Sequence, residues 1–216
     1  MRSEELFSQL ESTGVLAVLT IQDAADAVPL AEALLAGGIG AMELTLRTDA
    51  AIDAMKAIAQ SVPDMVLGAG TVLTVEQLRQ VAAAGAHFAV SPGVNPRVVE
   101  AAGKEGIPFS PGVMTPSDVE AALELGCRRL KFFPAEQSGG LPYLRSMAAP
   151  YDHLGIKYIP LGGVGPKNLA EYLNEPRILA VGGSWLAPQD LIATGNWERI
   201  RSLAQAARKV VDGLSR

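Results

Sequence analysis

The stretch AMELTLR, residues 41–47, alternates apolar and polar side chains with a period of two. The apolar positions are Met42, Leu44 and Leu46, and the polar positions are Glu43, Thr45 and Arg47. Such alternation is typical of a β-strand, whose successive side chains point to opposite faces of the sheet. If helices cover the apolar face, the polar side chains must point to the other side, into the interior of the protein.

Similar apolar runs recur along the whole chain and alternate with alanine-rich helical segments, many of which end at glycine. Eight runs have this character: residues 15–20, 41–47, 65–71, 87–92, 107–112, 129–134, 157–163 and 178–184. Strands that alternate with helices indicate a parallel sheet, and a count of eight predicts an α/β fold of the closed (β/α)8 TIM-barrel type. An open, doubly wound sheet is the alternative. The residues before 14 predict an extra N-terminal helix that caps the bottom of the barrel.

The composition favours one cytoplasmic domain over residues 1–216. Hydrophobic residues make up 49% of the chain, which supplies ample core, and no linker interrupts it. A net charge of −5 argues mildly against a nucleic-acid partner. The single cysteine, Cys127, excludes an intramolecular disulfide. The first residues lack the apolar core of a signal peptide, and no run is long enough to span a membrane.

A second strand places a lysine where a core residue is expected. In RLKFFP, residues 129–134, Leu130 and Phe132 form the apolar parity, so Lys131 points inward. Strands two and six face each other in a ring of eight, and the interior of such a barrel is only wide enough for side chains. Glu43 and Lys131 are therefore predicted to meet near the axis, with Arg47 one layer closer to the C-terminal mouth. A purely structural ion pair is the alternative, although such pairs often contribute little stability.

This set of side chains suits aldol chemistry on a 2-oxo acid. A lysine amine kept from water attacks ketones and forms a Schiff base, and a nearby carboxylate can carry protons onto and off the intermediates. Arg47 offers a planar fork for a carboxylate. We expect no metal and no cofactor, because His87 and His153 lack metal-ligand spacing and no cysteine or carboxylate cluster joins them.

Two glycine-rich turns follow the last two predicted strands, at LGGVGPKN (161–168) and VGGSWLAP (181–188). Loops at these positions of a TIM barrel frequently bind phosphate through backbone amides. Ser184 adds a hydroxyl donor. The sequence therefore predicts a phosphate site there.

Six motifs carry a resemblance to a known family. They are ELTLRT (43–48), GAGTV (68–72), SPG (91–93), PGVMTPSD (111–118), KFFPAE (131–136) and GGSW (182–185). With these motifs, in this order over nearly the whole chain, the protein resembles the bacterial 2-keto-3-deoxy-6-phosphogluconate (KDPG) aldolases. That family also includes 4-hydroxy-2-oxoglutarate (KHG) aldolases. The resemblance implies a metal-free class I aldolase on a (β/α)8 barrel, usually a homotrimer.

The resemblance also implies roles for single residues. Lys131 would form the Schiff base, Glu43 would be the general acid and base, and Arg47 with Thr71 would hold the carboxylate. The phosphate would be bound by Gly162, Gly163, Gly183 and Ser184. The pocket would be lined by Pro92 and Phe133. The implied partners are small molecules, a phosphorylated 2-oxo acid substrate and pyruvate. The implied reaction is reversible cleavage of KDPG to pyruvate and glyceraldehyde 3-phosphate.

The chain departs from the family pattern at two places. Leu161 stands where the family commonly has threonine, which puts the stereochemical preference in question. Strand one ends AVLT (17–20), where many relatives carry a proline and often an arginine. Alternative substrates are therefore 4-hydroxy-2-oxoglutarate and 2-keto-3-deoxy-6-phosphogalactonate. More distant alternatives are a phosphosugar isomerase or epimerase, and a non-catalytic barrel that binds a phosphorylated ligand.

Overall fold

The structure is a computed structural model that describes residues 3–214. Its strands are β1 Val15–Leu19, β2 Ala41–Thr45, β3 Val66–Gly70, β4 Phe88–Val90, β5 Phe109–Ser110, β6 Gly112–Val113, β7 Arg129–Phe132, β8 Lys157–Pro160 and β9 Val181–Gly183. Its α-helices are α1 Ser3–Thr13, α2 Ala27–Ala36, α3 Ala51–Ser61, α4 Val75–Ala83, α5 Pro96–Glu105, α6 Pro116–Glu124, α7 Gly140–Ala148, α8 Leu169–Leu173, α9 Gln189–Ala193 and α10 Trp197–Asp212. The alternation of strands and helices is the predicted one.

Short polar side chains set the starts of several helices. Thr74 and Thr115 stand immediately before α4 and α6, and each forms a capping box with a residue in the first turn of its helix, Gln77 in α4 and Asp118 in α6. In both cases the threonine hydroxyl accepts a backbone N–H that would otherwise lack a partner within the helix. These caps fix where each loop ends and its helix begins.

The strands form a curled parallel sheet. One part has the order β5-β4-β3-β2-β1-β9 and the other the order β6-β7-β8. All of the strand pairs are parallel. On the remaining side, Tyr158 of β8 bridges to Ile178, and the Leu179 N–H donates to the Tyr158 carbonyl oxygen at 2.9 Å. This curled α/β arrangement is of the barrel-like class.

One predicted strand is divided in the structure. The run 107–112 gives β5 and β6, which are separated by Pro111 alone. Proline has no backbone N–H to donate to a ladder. The chain before Pro111 pairs with β4, and the chain after it pairs with β7. The division therefore falls where this segment changes its neighbour.

Two apolar clusters lie on the two faces of the sheet. The larger contains Met42, Leu44, Leu130 and Phe132 together with the apolar sides of the surrounding helices. The smaller contains strand residues of the opposite parity, and Leu6 and Leu10 of α1 pack with it. Helix α1 therefore contributes to the inner cluster rather than to the outer helical layer.

Further contacts tie α1 to the beginnings of two strands. The Arg129 guanidinium lies 5.7 Å from the ring centroid of Phe7, and Lys157 Nζ lies 3.6 Å from Glu11 Oε1. Arg129 and Lys157 are the first residues of β7 and β8. The helix therefore lies at the N-terminal edge of the sheet. Within residues 3–214, no helix combines the length and the apolar character that crossing a membrane requires.

Candidate active site

Lys131 and Glu43 meet inside the curled sheet. Lys131 Nζ lies 3.2 Å from Glu43 Oε1, and the two residues are 6% and 1% exposed. The Phe133 ring centroid lies 5.4 Å from the same Nζ. Burying two charged groups requires a large desolvation free energy, so an ion pair in this position is poor evidence for a purely stabilising role. The arrangement places a primary amine and a carboxylate side by side in the buried interior.

The carboxylate of Glu43 occupies space that a side chain at position 70 would fill. A Cβ atom on Gly70 would lie 2.0 Å from Glu43 Oε1 and 2.7 Å from its carboxyl carbon. Real Cβ atoms do not approach so closely, so any other residue would displace the acid. The glycine of the GAGTV motif thus makes room for the contact between Glu43 and Lys131.

Arg47 lies just beyond the C-terminal end of β2, where it is exposed. Its Nε donates to Thr45 Oγ1 at 3.1 Å, and its Nη2 donates to Thr20 Oγ1 at 2.8 Å. Thr71 follows the end of β3, and the Leu46 N–H donates to the Gly70 carbonyl oxygen at 2.8 Å. Arg47 and Thr71 therefore leave neighbouring strands at the same edge of the sheet.

Thr71 has a backbone angle that β-branched residues rarely adopt. Its φ is +60°, and among the described residues it is the one non-glycine residue with a positive φ. A β-branched residue in the left-handed region is strained, and such strain concentrates at functional sites. This observation does not depend on any motif, and it indicates a functional role for Thr71.

The two predicted glycine turns also lie at the C-terminal edge. Gly162 and Gly163 have φ values of +96° and +79°, a conformation that L side chains rarely adopt. The Ala135 N–H donates to the Leu161 carbonyl oxygen at 2.7 Å, and the Glu136 N–H donates to the Gly162 carbonyl oxygen at 3.0 Å. The first turn is therefore bonded to the segment that follows the Lys131 strand.

The second turn is packed against an aromatic ring. A Cβ atom on Gly183 would lie 1.5 Å from Cζ3 of Trp185, so the indole lies directly on this glycine. Ser184 between them is exposed. Pro92, after β4, is exposed as well, and its carbonyl oxygen occupies the space that a Cβ atom on Gly112 would need. The residues predicted for substrate binding thus lie together at the C-terminal edge of the sheet.

Two other titratable residues, Cys127 and His87, have pKa values that burial shifts away from the ordinary ones. Burial raises the pKa of the Cys127 thiol to about 11, so the thiol stays protonated and unreactive at neutral pH. Burial lowers the pKa of His87, whose Nδ1 accepts the Leu67 N–H at 3.0 Å. Over the described range 3–214, no three His, Cys, Asp or Glu side chains are grouped to hold a metal ion.

The structure brings Lys131, Glu43 and Phe133 into contact and places the other predicted site residues at the ends of their strands. Sequence reasoning assigned no role to Gly70, Thr20 or Thr45, which contact these groups. Thr45 shares the inward parity of Glu43, and Thr20 closes the atypical AVLT stretch, so both positions carried a signal. Nothing in the pattern of the GAGTV motif shows that Gly70 contacts a glutamate.

Comparison with known proteins identifies relatives that match nearly the whole chain. A family model for KDPG and KHG aldolases matches residues 6–203. The 2-dehydro-3-deoxy-phosphogluconate aldolase of Treponema pallidum is 47% identical, and the match covers 95% of this chain and 97% of that protein. The KHG/KDPG aldolase of Escherichia coli K12 is 42% identical, with 93% of both chains covered.

Solved structures give the same result. The KDPG aldolase of Legionella pneumophila, with pyruvate captured at low pH as a covalent carbinolamine intermediate, superposes with a TM-score of 0.89 at 40% identity, covering 96% of this chain and 98% of that one. A native KDPGal structure superposes with a TM-score of 0.80 at 30% identity, covering 91% and 93%. The resemblance predicted from the motifs is confirmed by these matches over almost the full length, and the chain belongs to the KDPG and KHG aldolase family.

Proposed function

We propose that the protein is a class I aldolase that reversibly cleaves 2-keto-3-deoxy-6-phosphogluconate to pyruvate and glyceraldehyde 3-phosphate. The observation that carries the proposal is the distance of 3.2 Å between Lys131 Nζ and Glu43 Oε1 inside the sheet. The covalent carbinolamine of pyruvate in the Legionella relative supports it, because that species is the first product of an amine and a ketone.

The first half of the reaction makes the imine. The deprotonated amine of Lys131 attacks the C2 carbonyl carbon, and the carbonyl oxygen takes up a proton to give a carbinolamine. Loss of this hydroxyl as water gives a protonated Schiff base. Glu43 accepts and returns protons in these steps, since its carboxylate is within hydrogen-bonding distance of the reacting nitrogen.

The second half breaks the carbon–carbon bond. The carboxylate of Glu43 removes the proton of the C4 hydroxyl, directly or through a water molecule. The C3–C4 electron pair moves to the iminium and leaves an enamine, and C4 departs as the aldehyde carbon of glyceraldehyde 3-phosphate. The enamine is then protonated at C3, and hydrolysis of the imine frees pyruvate and the amine.

The two ends of the substrate are bound at the C-terminal edge of the sheet. Arg47 and Thr71 hold the carboxylate, and Pro92 and Phe133 line the pocket. Gly162, Gly163, Gly183 and Ser184 bind the phosphate. The positive φ values of Thr71, Gly162 and Gly163 support this assignment. Backbone in this conformation can direct N–H and hydroxyl groups toward a ligand, whereas in a regular strand or helix the backbone groups are bonded to one another.

The curled sheet is proposed to close as a (β/α)8 barrel in a single domain over residues 1–216, with α1 as the extra N-terminal helix at its bottom. The bridge from Tyr158 to Ile178 and the pairing of β9 with β1 support closure. No metal or cofactor takes part in the proposed reaction. A reducing compartment such as the cytoplasm suits the free thiol of Cys127.

A homotrimer is the proposed assembly. Leu73 and Met114 lie just beyond the ends of β3 and β6 and are 48% and 40% exposed. Burial of these two side chains between subunits would remove their apolar surface from water. Light scattering on the purified protein tests the proposal, which predicts a mass of three chains and fails on a monomer.

Borohydride trapping tests the reaction. Incubation with pyruvate and borohydride should give one reduced pyruvyl adduct, and peptide mapping should place it on Lys131. In parallel, KDPG should release pyruvate that lactate dehydrogenase consumes. A phosphosugar isomerase, an epimerase or a non-catalytic binding barrel would give neither the adduct nor pyruvate. Either of these negative results in a folded protein would refute the proposal.

The choice among 2-oxo acid substrates depends on Leu161. This side chain is 5% exposed and belongs to the inner cluster, and a Cβ atom on Gly182 would lie 2.6 Å from its Cγ. An apolar group here offers no hydrogen bond to a substrate hydroxyl. Pockets without such a bond discriminate weakly between hydroxyl epimers. We therefore expect the protein to cleave the phosphogalactonate epimer as well as KDPG, while 4-hydroxy-2-oxoglutarate, which has no phosphate, is the alternative substrate that Leu161 does not decide.

Leu161→Thr is expected to shift the ratio of kcat/KM for KDPG and its phosphogalactonate epimer by about tenfold. The threonine hydroxyl can hydrogen-bond to a substrate hydroxyl in one epimer and not in the other, whereas leucine can bond to neither. Steady-state kinetics with both substrates measures the ratio. Leu161→Val is the matched control, since it removes the same volume as threonine without adding a hydroxyl. Equal ratios in the two variants would show that the size of the cavity, and not the hydroxyl, sets the preference.

A further inference from the structure

The guanidinium of Arg47 is held by two neutral hydroxyl groups. Its Nε donates to Thr45 Oγ1 at 3.1 Å and its Nη2 to Thr20 Oγ1 at 2.8 Å. The two hydroxyl oxygens are themselves 2.8 Å apart and share a hydrogen bond. The three side chains therefore form a closed ring of hydrogen bonds at the C-terminal ends of β1 and β2.

This ring follows from the strand register. Leu19 of β1 pairs with Leu44 of β2, so the next residues, Thr20 and Thr45, come side by side. Thr45 is 4% exposed and shares the inward parity of Glu43, two residues earlier. Arg47 is two residues further on and folds back over this pair. The geometry therefore needs a hydroxyl on each of two neighbouring strands.

The partners of Arg47 differ in charge from those of Arg145 and Arg177. Arg145 and Arg177 are each paired with carboxylates, in both cases with Glu175. For Arg47 the described residues provide no carboxylate within ion-pair distance, although it makes two side-chain hydrogen bonds. Threonine hydroxyls fix the orientation of the guanidinium without neutralising its charge. Its positive charge stays available to an anionic ligand.

The ring also decides which edge of the guanidinium is available. An arginine has five N–H donors, and the threonines take the Nε donor and one on Nη2. The remaining donors, two on Nη1 and one on Nη2, form the end-on fork that binds a carboxylate through two parallel hydrogen bonds. A fixed fork loses little freedom when the ligand binds.

We propose that Thr20 and Thr45 are positioning residues that orient the Nη1–Nη2 edge of Arg47 toward the substrate carboxylate. The inference rests on the proposed function, in which Arg47 holds that carboxylate. It assigns a role to the atypical end of the first strand. Thr20 there supplies the outer of the two hydroxyls, and Thr45 supplies the inner one.

Removing only the outer hydroxyl tests the inference. Thr20→Val keeps the branched shape, and the Thr48 hydroxyl, which donates to the Ile21 carbonyl oxygen at 2.5 Å, still ties the two strand ends together. We expect KM for KDPG, and the pyruvate concentration that half-saturates borohydride trapping, to rise about tenfold, with kcat within about twofold. Thr20→Ser, which restores a hydroxyl, should return both values to within about twofold of the parent.

Arg47→Met separates failure of the inference from failure of the proposed function. Adding Thr20→Val to Arg47→Met should cause no further rise in KM, because the threonine acts through the arginine. If the parent protein gives no adduct, or if Arg47→Met leaves KM unchanged, the proposed function or the role of Arg47 is wrong. If Arg47→Met weakens binding while Thr20→Val leaves KM unchanged, or serine fails to rescue valine, the positioning role is wrong.

Discussion

Lys131→Met is expected to abolish aldol cleavage, lowering kcat/KM for KDPG by at least about 10⁴-fold, because the variant has no amine to form the imine. Borohydride trapping with pyruvate should yield no adduct at all. Methionine also leaves the buried carboxylate of Glu43 without its partner, which destabilises the fold by about 3–5 kcal/mol. Lys131→Arg is therefore the companion variant, since arginine keeps a positive charge there but is not a nucleophile. Both variants should be inactive while circular dichroism shows a folded protein.

Lys157→Met provides the matched control. Lys157 opens β8, the strand next to that of Lys131, but it lies at the N-terminal edge, where it pairs with Glu11. Its replacement should leave the kinetics and the adduct unchanged. Cleavage above about 1% of the parent rate in a folded Lys131→Arg variant would contradict the covalent mechanism. So would an adduct that disappears on replacement of Lys157.

Glu43→Gln is expected to lower kcat by about 10²–10⁴-fold, the usual contribution of a positioned acid or base. The amide has nearly the size of the carboxylate, so the close contact with Gly70 is preserved, but it cannot accept a proton. Exchange of the methyl hydrogens of pyruvate with deuterium from solvent, followed by NMR, should slow by a similar factor, because it requires proton transfer at C3. Slow trapping of pyruvate on Lys131 should persist, since the nucleophile is still present.

Glu175→Gln is the control for the loss of a buried carboxylate. Glu175 is 4% exposed and ion-paired, but it precedes β9 and lies away from the C-terminal edge. We expect this variant to lose stability, because Arg145 and Arg177 lose a charged partner, while kcat stays near that of the parent. If both glutamine variants slow deuterium exchange equally, the effect is structural and Glu43 is not the proton carrier.

The fold was predictable where side-chain parity was clear. In 41–47 the alternation separated Glu43 from Leu44, and the structure buries them on opposite faces of the sheet because successive strand residues must diverge. The division of the fifth strand at Pro111 was not predictable to the same degree. It depends on which neighbour each half pairs with, and that is set by the curvature of the whole sheet.

The site was predictable in its reacting groups and less so in its supports. Lys131 is conspicuous because an inward lysine contradicts the apolar pattern around it. Gly70 is an ordinary residue by any local criterion, and Thr20 stands out only as the last residue of an atypical stretch. Their contacts with Glu43 and Arg47 arise between strands, so only three-dimensional register reveals them. The strained φ of Thr71 is likewise a property of the assembled backbone.

The two hydrogen bonds from Ala135 and Glu136 to the Leu161–Gly162 turn have a consequence for substrate length. They join the segment that follows Lys131 to the proposed phosphate-binding turn through main-chain atoms, so the spacing of these two backbone segments does not depend on side-chain rotamers. The backbone thereby sets the distance that a bound ligand must span. A substrate with one carbon more or fewer between its ketone and its phosphate would reach only one of the two, Lys131 or the phosphate-binding turn. The backbone would therefore select for the length of the substrate.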